Sequence, residues 1–515
     1  MKPKLMLFSH ICGSSEITGA EKFLLFLMRE LQPHFHCTLV VPADGILSAQ
    51  ARHRGIDTIV QSYPLLYSLC IPGPNTSSEF RSLRKHKAMP ALLDLLHIRQ
   101  PDYIAALTCV NPLPALAAKI MGIPCLWLIT EAIVSNPYTG VSAALIHKHS
   151  NWILGISDTV LRPFQPLSIE SKLHLVYPSW HEEDYKPESW PNLRLMKRGQ
   201  LGLNEARPLI GCLSSYLIPN KGIQHFISMA ISLSEKYPDA EFLLAGRPLD
   251  EDYYRHCVQL VEAAALGSRF HFVPFFRRRA ADLFSTGYCC RSQLGGRSFG
   301  LTAMEGMVFG KPVVSYGGGG VEEIHLQTRN AELLAVKGNI NELASKISPL
   351  VADAALRERV GTDNSLAVRE AFGIHSFRSR MQGWVDQAKR HTAVRTSAPR
   401  RYLDGRLLKG SESIVVFFLT DKGSKRPFLS KRILKFYRQR MSKVKVLKDA
   451  MLNAIPTGAA VERTLRIRKK RKRRRKPAVT RTRKAIGQRS GSFRKFVSLN
   501  RKRTVKKASS ARKSA

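Results

Sequence analysis

The 515-residue chain predicts an α/β protein built from two consecutive doubly wound, Rossmann-like domains facing a cleft, with a basic extension at its C-terminus. Three observations carry that reading. Short β-branched and apolar runs alternate with longer segments of helical spacing from Lys4 onward, as in a parallel sheet covered by helices. The alternation stops between Pro178 and Pro191 and then restarts. The length also exceeds what a single hydrophobic core usually fills. In such sheets ligands bind outside the carboxyl ends of the strands, so the cleft between the domains is the expected site.

In the first half, strands are predicted at Leu5–Ser9, Thr38–Val41, Thr58–Val60, Ile104–Leu107, Cys125–Ile129, Ile153–Ile156 and His174–Tyr177. A helix is expected from Gly19 to about Leu31, because Phe23, Leu24, Leu27, Met28 and Leu31 form one apolar stripe. The second half repeats the pattern at Leu209–Leu213, Glu241–Ala245, Phe270–Val273, Tyr288–Cys290, Pro312–Ser315 and Leu333–Val336. The resulting division is a first domain over 1–178, a linker over 179–191 and a second domain over 192–376. A helix over 377–390 is placed to return to the first domain.

The net charge of +42 is concentrated at one end. Residues 463–515 hold 24 Lys or Arg and no acid, and residues 391–462 are net +11, which leaves +7 for residues 1–390. The basicity therefore says nothing about what the two domains bind. Nine cysteines, none in a Cys-x-x-Cys pair, read as plain buried thiols in a reducing compartment. The opening run Leu5–Phe8 is too short for a signal segment, and nothing approaches ~18 uninterrupted apolar residues, so a cytoplasmic location is expected.

The most informative stretch is Ser298-Phe299-Gly300-Leu301-Thr302-Ala303-Met304-Glu305, followed by Gly310-Lys311-Pro312-Val313-Val314 and Gly317-Gly318-Gly319-Gly320-Val321-Glu322-Glu323. Physically it is a glycine turn opening a helix, a strand, and a second glycine turn opening another helix. Free N–H groups at helix starts suit a phosphate, and glycines let a ligand approach the backbone.

These residues resemble the donor-binding motif of the retaining GT-B glycosyltransferases called group 1, or family four. The resemblance extends to Asn220-Lys221-Gly222 after the first strand of the second half, and to Gly19-Ala20-Glu21 at the first helix. It covers roughly residues 1–390 and implies transfer from a nucleoside-diphosphate sugar to a glycan or lipid-linked acceptor, with retention and without cofactor or metal. By that resemblance Lys221 and the backbone of Ser298, Phe299, Gly300, Leu301 and Thr302 meet the diphosphate, Glu305 holds the ribose, and Gly19 keeps the first-domain loop near the donor.

The chain also departs from the pattern. Arg297 stands eight residues before Glu305, where the family presents a glutamate to the sugar. A cation cannot accept hydroxyl hydrogen bonds, so Arg297 is assigned to the diphosphate or to an acidic sugar. Cys212 stands where relatives supply an arginine, and Thr130-Glu131 where many place a histidine. These departures keep open an alternative: a catalytically degenerate nucleotide-sugar-binding or polyanion-binding protein on the same scaffold. Asp250-Glu251-Asp252 imitates an Asp-x-Asp metal motif, but acids in a first helical turn complement the dipole without a metal.

In the extension, Ile433, Tyr437, Met441, Val444, Leu447 and Met451 fall at spacings of three and four. That predicts a basic amphipathic helix within 391–462, followed by a disordered polybasic tail over 463–515. Such a segment suits an anionic membrane surface, peripheral to the inner face, or the phosphates of a nucleic acid.

Overall fold

The computed structural model describes residues 2–14, 17–273, 288–291 as backbone, 299–395, 407–412, 415–420, 423–428 and 444–457. The first sheet contains β1 (Lys4–Phe8), β2 (His36–Val41), β3 (Asp57–Val60), β4 (Tyr103–Leu107), β5 (Cys125–Ile129), β6 (Trp152–Gly155) and β7 (Leu173–Leu175). Their order is β3-β2-β1-β4-β5-β6-β7, and every pairing is parallel. All residues of β4 and β5 are buried, because helices cover both faces of the central strands. The helix Gly19–Leu31 starts where Thr18 and Glu21 form a capping box, and it buries Phe23, Leu24, Leu27, Met28 and Leu31.

The second sheet contains β8 (Leu209–Leu217), β9 (Glu241–Pro248), β10 (Phe270–Val273), β11 (Tyr288–Arg291), β12 (Val313–Tyr316) and β13 (Leu334–Ala335), in the order β10-β9-β8-β11-β12-β13. Both sheets therefore reverse direction of build beside their first strand, between β1 and β4 and between β8 and β11. Such switch points open a crevice at the carboxyl ends, where the loops after neighbouring strands diverge.

Between the sheets, the stretch read as a linker holds a short helix at Glu182–Tyr185 and the start of another at Trp190–Gln200. Tyr185 and Trp190 pack edge-on against Phe309 of the second domain, at 5.2 and 5.0 Å between ring centroids. The long helix Ile374–Arg395 lies on the first domain. Its Phe377 meets Phe26 and its buried Trp384 meets Phe35, while Tyr103 donates a hydrogen bond to the carbonyl of Ala388.

A third sheet follows in the extension: β14 (Leu407–Gly410), β15 (Val416–Leu419), β16 (Lys425–Pro427) and β17 (Val444–Leu447), in the order β16-β15-β14-β17. Over Val444–Leu447 this corrects the amphipathic helix expected there. Val444–Leu447 is a strand pairing parallel with β14, and Asp449–Asn453 is the helical part among the described residues of this stretch. Val444 and Leu447 fit the helical spacing of three, yet the sheet wins by burying Leu447 against Leu408, Leu419 and Leu452 while the adjacent Val446 is exposed. Ile433, Tyr437 and Met441, and the whole of 463–515, lie outside the described residues. Lys445 ties the sheet to the first domain, donating to both oxygens of Asp94 on the helix Met89–Arg99 at 2.7 and 2.8 Å.

Candidate active site

The loop after β1 is shaped by one buried carboxylate. Glu21 accepts from Thr18 N and Thr18 Oγ1, both at 2.8 Å, and from Gly13 N at 3.3 Å. That loop ends at Gly19, where an added Cβ would lie 3.1 Å from Cδ1 of Leu301. Leu301 opens the helix of the glycine motif in the second domain, so the first domain's loop and the second domain's motif touch across the cleft.

The two glycine turns of the second domain meet each other. Gly300 has φ +107°, and a Cβ there would lie 2.5 Å from Val321 Cγ2, so conformation and space both require glycine. The helices Leu301–Val308 and Gly319–Gln327 begin after Gly300 and Gly318, and neither has a side-chain cap. Their first N–H groups form a paired, uncapped positive end of the kind that binds anions. Phe299 is buried between Tyr177 and Phe372, at 5.7 and 5.6 Å, so only its backbone can reach a ligand. Thr302 is buried and Glu305 half-buried on the same short helix.

Lys221 ends a single helical turn, Pro219–Lys221, that follows β8. Gly222, at φ +67°, then turns the chain into the helix Ile223–Lys236. β8 is the parallel, hydrogen-bonded neighbour of β11, so the Lys221 turn lies at the sheet edge to which the carboxyl end of β11 also points. Arg297 and Ser298 lie outside the described residues. Cys212 is not at this edge: it sits in mid-β8 within the second core, because the strand runs on to Leu217. Asp250 caps the helix Glu251–Ala263 by accepting from Tyr253 N at 3.0 Å.

The carboxyl edge of the first sheet holds polar groups to which residue patterns assigned no role. Thr108, directly after β4, has φ +73°, an outlier for a β-branched residue, and its buried hydroxyl has no partner among the described residues. Glu131, just past β5, accepts from Cys109 N at 3.2 Å, and burial pushes its carboxyl up to about 7. Burial pushes the His10 imidazole, just past β1, down to about 4, and its Nδ1 lacks a partner among the described residues. An acid two residues past the five-residue buried strand Cys125–Ile129 is a readable signal for Glu131. Nothing local marks Thr108.

The family model of glycosyl transferases group 1 matches residues 195–365, the stretch that holds the Lys221 turn and both glycine turns. The chain is 28% identical over 159 residues to a phosphatidyl-myo-inositol mannosyltransferase of Mycobacterium leprae, covering 30% of this chain and 41% of that protein. It is 28% identical over 179 residues to a 2-deoxystreptamine N-acetyl-D-glucosaminyltransferase of Streptomyces fradiae, covering 33% of this chain and 40% of that protein. The chain thus spans about two fifths of the length of these relatives. In fold it resembles the Anabaena protein HepE, solved in complex with UDP and glucose, at a TM-score of 0.60 and 19% identity, over 75% of this chain and 99% of that one. By fold the chain is a GT-B protein, and its residues 195–365 match the family model of glycosyl transferases group 1.

Proposed function

We propose that this chain is a glycosyltransferase that moves a sugar, with retention, from a nucleoside-diphosphate sugar to a glycan or lipid-linked acceptor. The observation that carries the reading is the meeting of two uncapped glycine turns with the Gly19 loop of the opposite domain. In this reading residues 192–376 hold the donor and residues 1–178 the acceptor. The bond from the anomeric carbon to the phosphate oxygen breaks with its electron pair on the diphosphate. The acceptor oxygen bonds to that carbon, and its proton passes to the departing phosphate. Lys221 and the N–H groups of Leu301 and Thr302 stabilise the growing negative charge, which is where fixed positive groups contribute most. Glu305 accepts hydrogen bonds from the ribose, and Arg297 contacts the diphosphate or an acidic sugar.

The basic extension is read as an attachment to an anionic membrane surface, where each Lys or Arg near the leaflet contributes about 1 kcal/mol. No helix among the described residues is long and apolar enough to cross a membrane, so attachment in this reading is peripheral. Calorimetric titration of the full chain with UDP, GDP, ADP and CMP tests the donor half. Saturable binding of one nucleotide is expected, and binding of none removes the reading.

A further inference from the structure

Glu323 belongs to the second glycine turn by sequence and to the first domain by contact. It lies in the helix Gly319–Gln327, four residues past its start, yet its carboxylate is occupied by the opposite domain. Oε2 accepts from Asp158 N at 2.8 Å, and Oε1 accepts from Thr159 N at 2.7 Å and from Thr159 Oγ1 at 2.5 Å. These donors open the turn Asp158–Leu161, whose next N–H, that of Val160, goes to Ser157 Oγ at 3.3 Å. A first-domain turn thus has its leading N–H groups satisfied in trans, by an ionised acceptor, which makes the stronger class of hydrogen bond.

The contact continues into the site. Asp158 accepts from the Tyr177 hydroxyl at 3.2 Å. The Tyr177 ring lies 5.7 Å from Phe299 of the first glycine motif, and the Arg380 guanidinium covers it at 4.9 Å. Between the turn and Glu323, Val321 contacts Gly300. Four residues of helix place the glycine turn about 6 Å from Glu323. A movement of the helix Gly319–Gln327 away from Asp158 and Thr159 would therefore shift its own glycine turn and the packing of Val321 on Gly300 together.

We infer that Glu323 is a positioning residue that clasps the two domains and so sets the donor turns against the first-domain loop. It touches neither donor nor acceptor, and the inference rests on the transferase reading only for its kinetic consequence. Replacing the carboxylate by an amide leaves one acceptor and sets an NH2 against N–H donors, so Glu323→Gln should release the clasp without a change in size.

The test uses the full chain, as wild type and as Glu323→Gln and Thr159→Ala. Hydrogen exchange at 155–161, 299–303 and 317–321 is measured together with nucleotide affinity and the rate of sugar release from the donor of the best-bound nucleotide. In Glu323→Gln all three segments are expected to exchange faster together, while nucleotide Kd moves less than about threefold and sugar release falls about tenfold or more. Thr159→Ala removes one of the three hydrogen bonds and leaves the charge, so it should show the same pattern more weakly. It also carries the test should Glu323→Gln fail to fold. Faster exchange confined to 158–159 with unchanged turnover overturns the inference, since that is a local cap. Should wild type bind no nucleotide, the transferase reading falls, and concerted or separate exchange of the three segments still decides the clasp.

Discussion

Gly19 and Leu301 belong to different domains, and a methyl group placed on Gly19 would lie 3.1 Å from the Leu301 Cδ1 atom. Alanine at Gly19 meets only the end of a flexible side chain and favours the helix start, so Gly19→Ala should stay within about 1 kcal/mol of wild-type stability. Leucine there has to push Leu301 aside, so Gly19→Leu should cut sugar release by roughly tenfold or more with a far smaller effect on melting. Melting curves and turnover for both variants check this; equal turnover would remove Gly19 from the site.

The two glycine turns should differ in tolerance. Gly300 combines φ +107° with a 2.5 Å approach to Val321, whereas Gly318 has φ +118° and open space around its Cα. Strained backbone alone costs about 1–2 kcal/mol and overpacking adds about 1–3. Gly300→Ala should therefore destabilise by about 2–5 kcal/mol and Gly318→Ala by about 1–2, measured as the shift in denaturant midpoint. The reverse order would contradict the packing of Val321 on Gly300.

Glu131 should leave a signature in the pH dependence of stability. Its folded carboxyl is raised from 4.5 to about 7, chiefly by burial. A raised pKa means that the folded state holds the proton more tightly, so the contribution is present below the unfolded value and lost as pH rises from 4.5 to about 7. Glu131→Gln should thus gain stability over wild type on going from pH about 5 to about 8, by on the order of 1–3 kcal/mol. His10 shifts in the opposite direction, but it is common to both proteins and cancels in the difference. A pH-independent difference would mean that Glu131 is solvated.

The third sheet should come loose when its ion pair is broken. Asp94 is 8% exposed and holds Lys445 through both oxygens. Asp94→Ala leaves a partly buried ammonium without its partner, a loss of about 1–3 kcal/mol. Limited proteolysis should cut between 396 and 457 sooner in Asp94→Lys than in wild type, and Asp94→Lys with Lys445→Glu should restore resistance. Unchanged cleavage in Asp94→Lys would show that the sheet is held by other contacts.

What the residue pattern reveals depends on how local the cause is. β4 and β5 are legible because buried central strands must be apolar, and the Gly300 turn because a positive φ and a close neighbour both select glycine. The Glu323 clasp is not legible, since its partners lie 164 and 165 residues away and a carboxylate in a glycine turn looks like a ligand contact. Thr108 is invisible because its backbone contradicts its own propensity and is held by the surrounding fold. In the extension, Val444, Leu447 and Met451 fit helical spacing and not strand alternation, and pairing with β14 overrides that local signal. Cys212 misleads because β8 continues five residues beyond it.

The most direct test of the central claim is sugar release by the full chain from UDP-, GDP- and ADP-sugars and CMP-sugar, compared with Lys221→Ala. The account predicts release from one of the UDP-, GDP- or ADP-sugars, matching the nucleotide that binds, none from CMP-sugar, and a loss of roughly a hundredfold or more in Lys221→Ala with folding intact. Release from no donor, or undiminished release by Lys221→Ala, would contradict it.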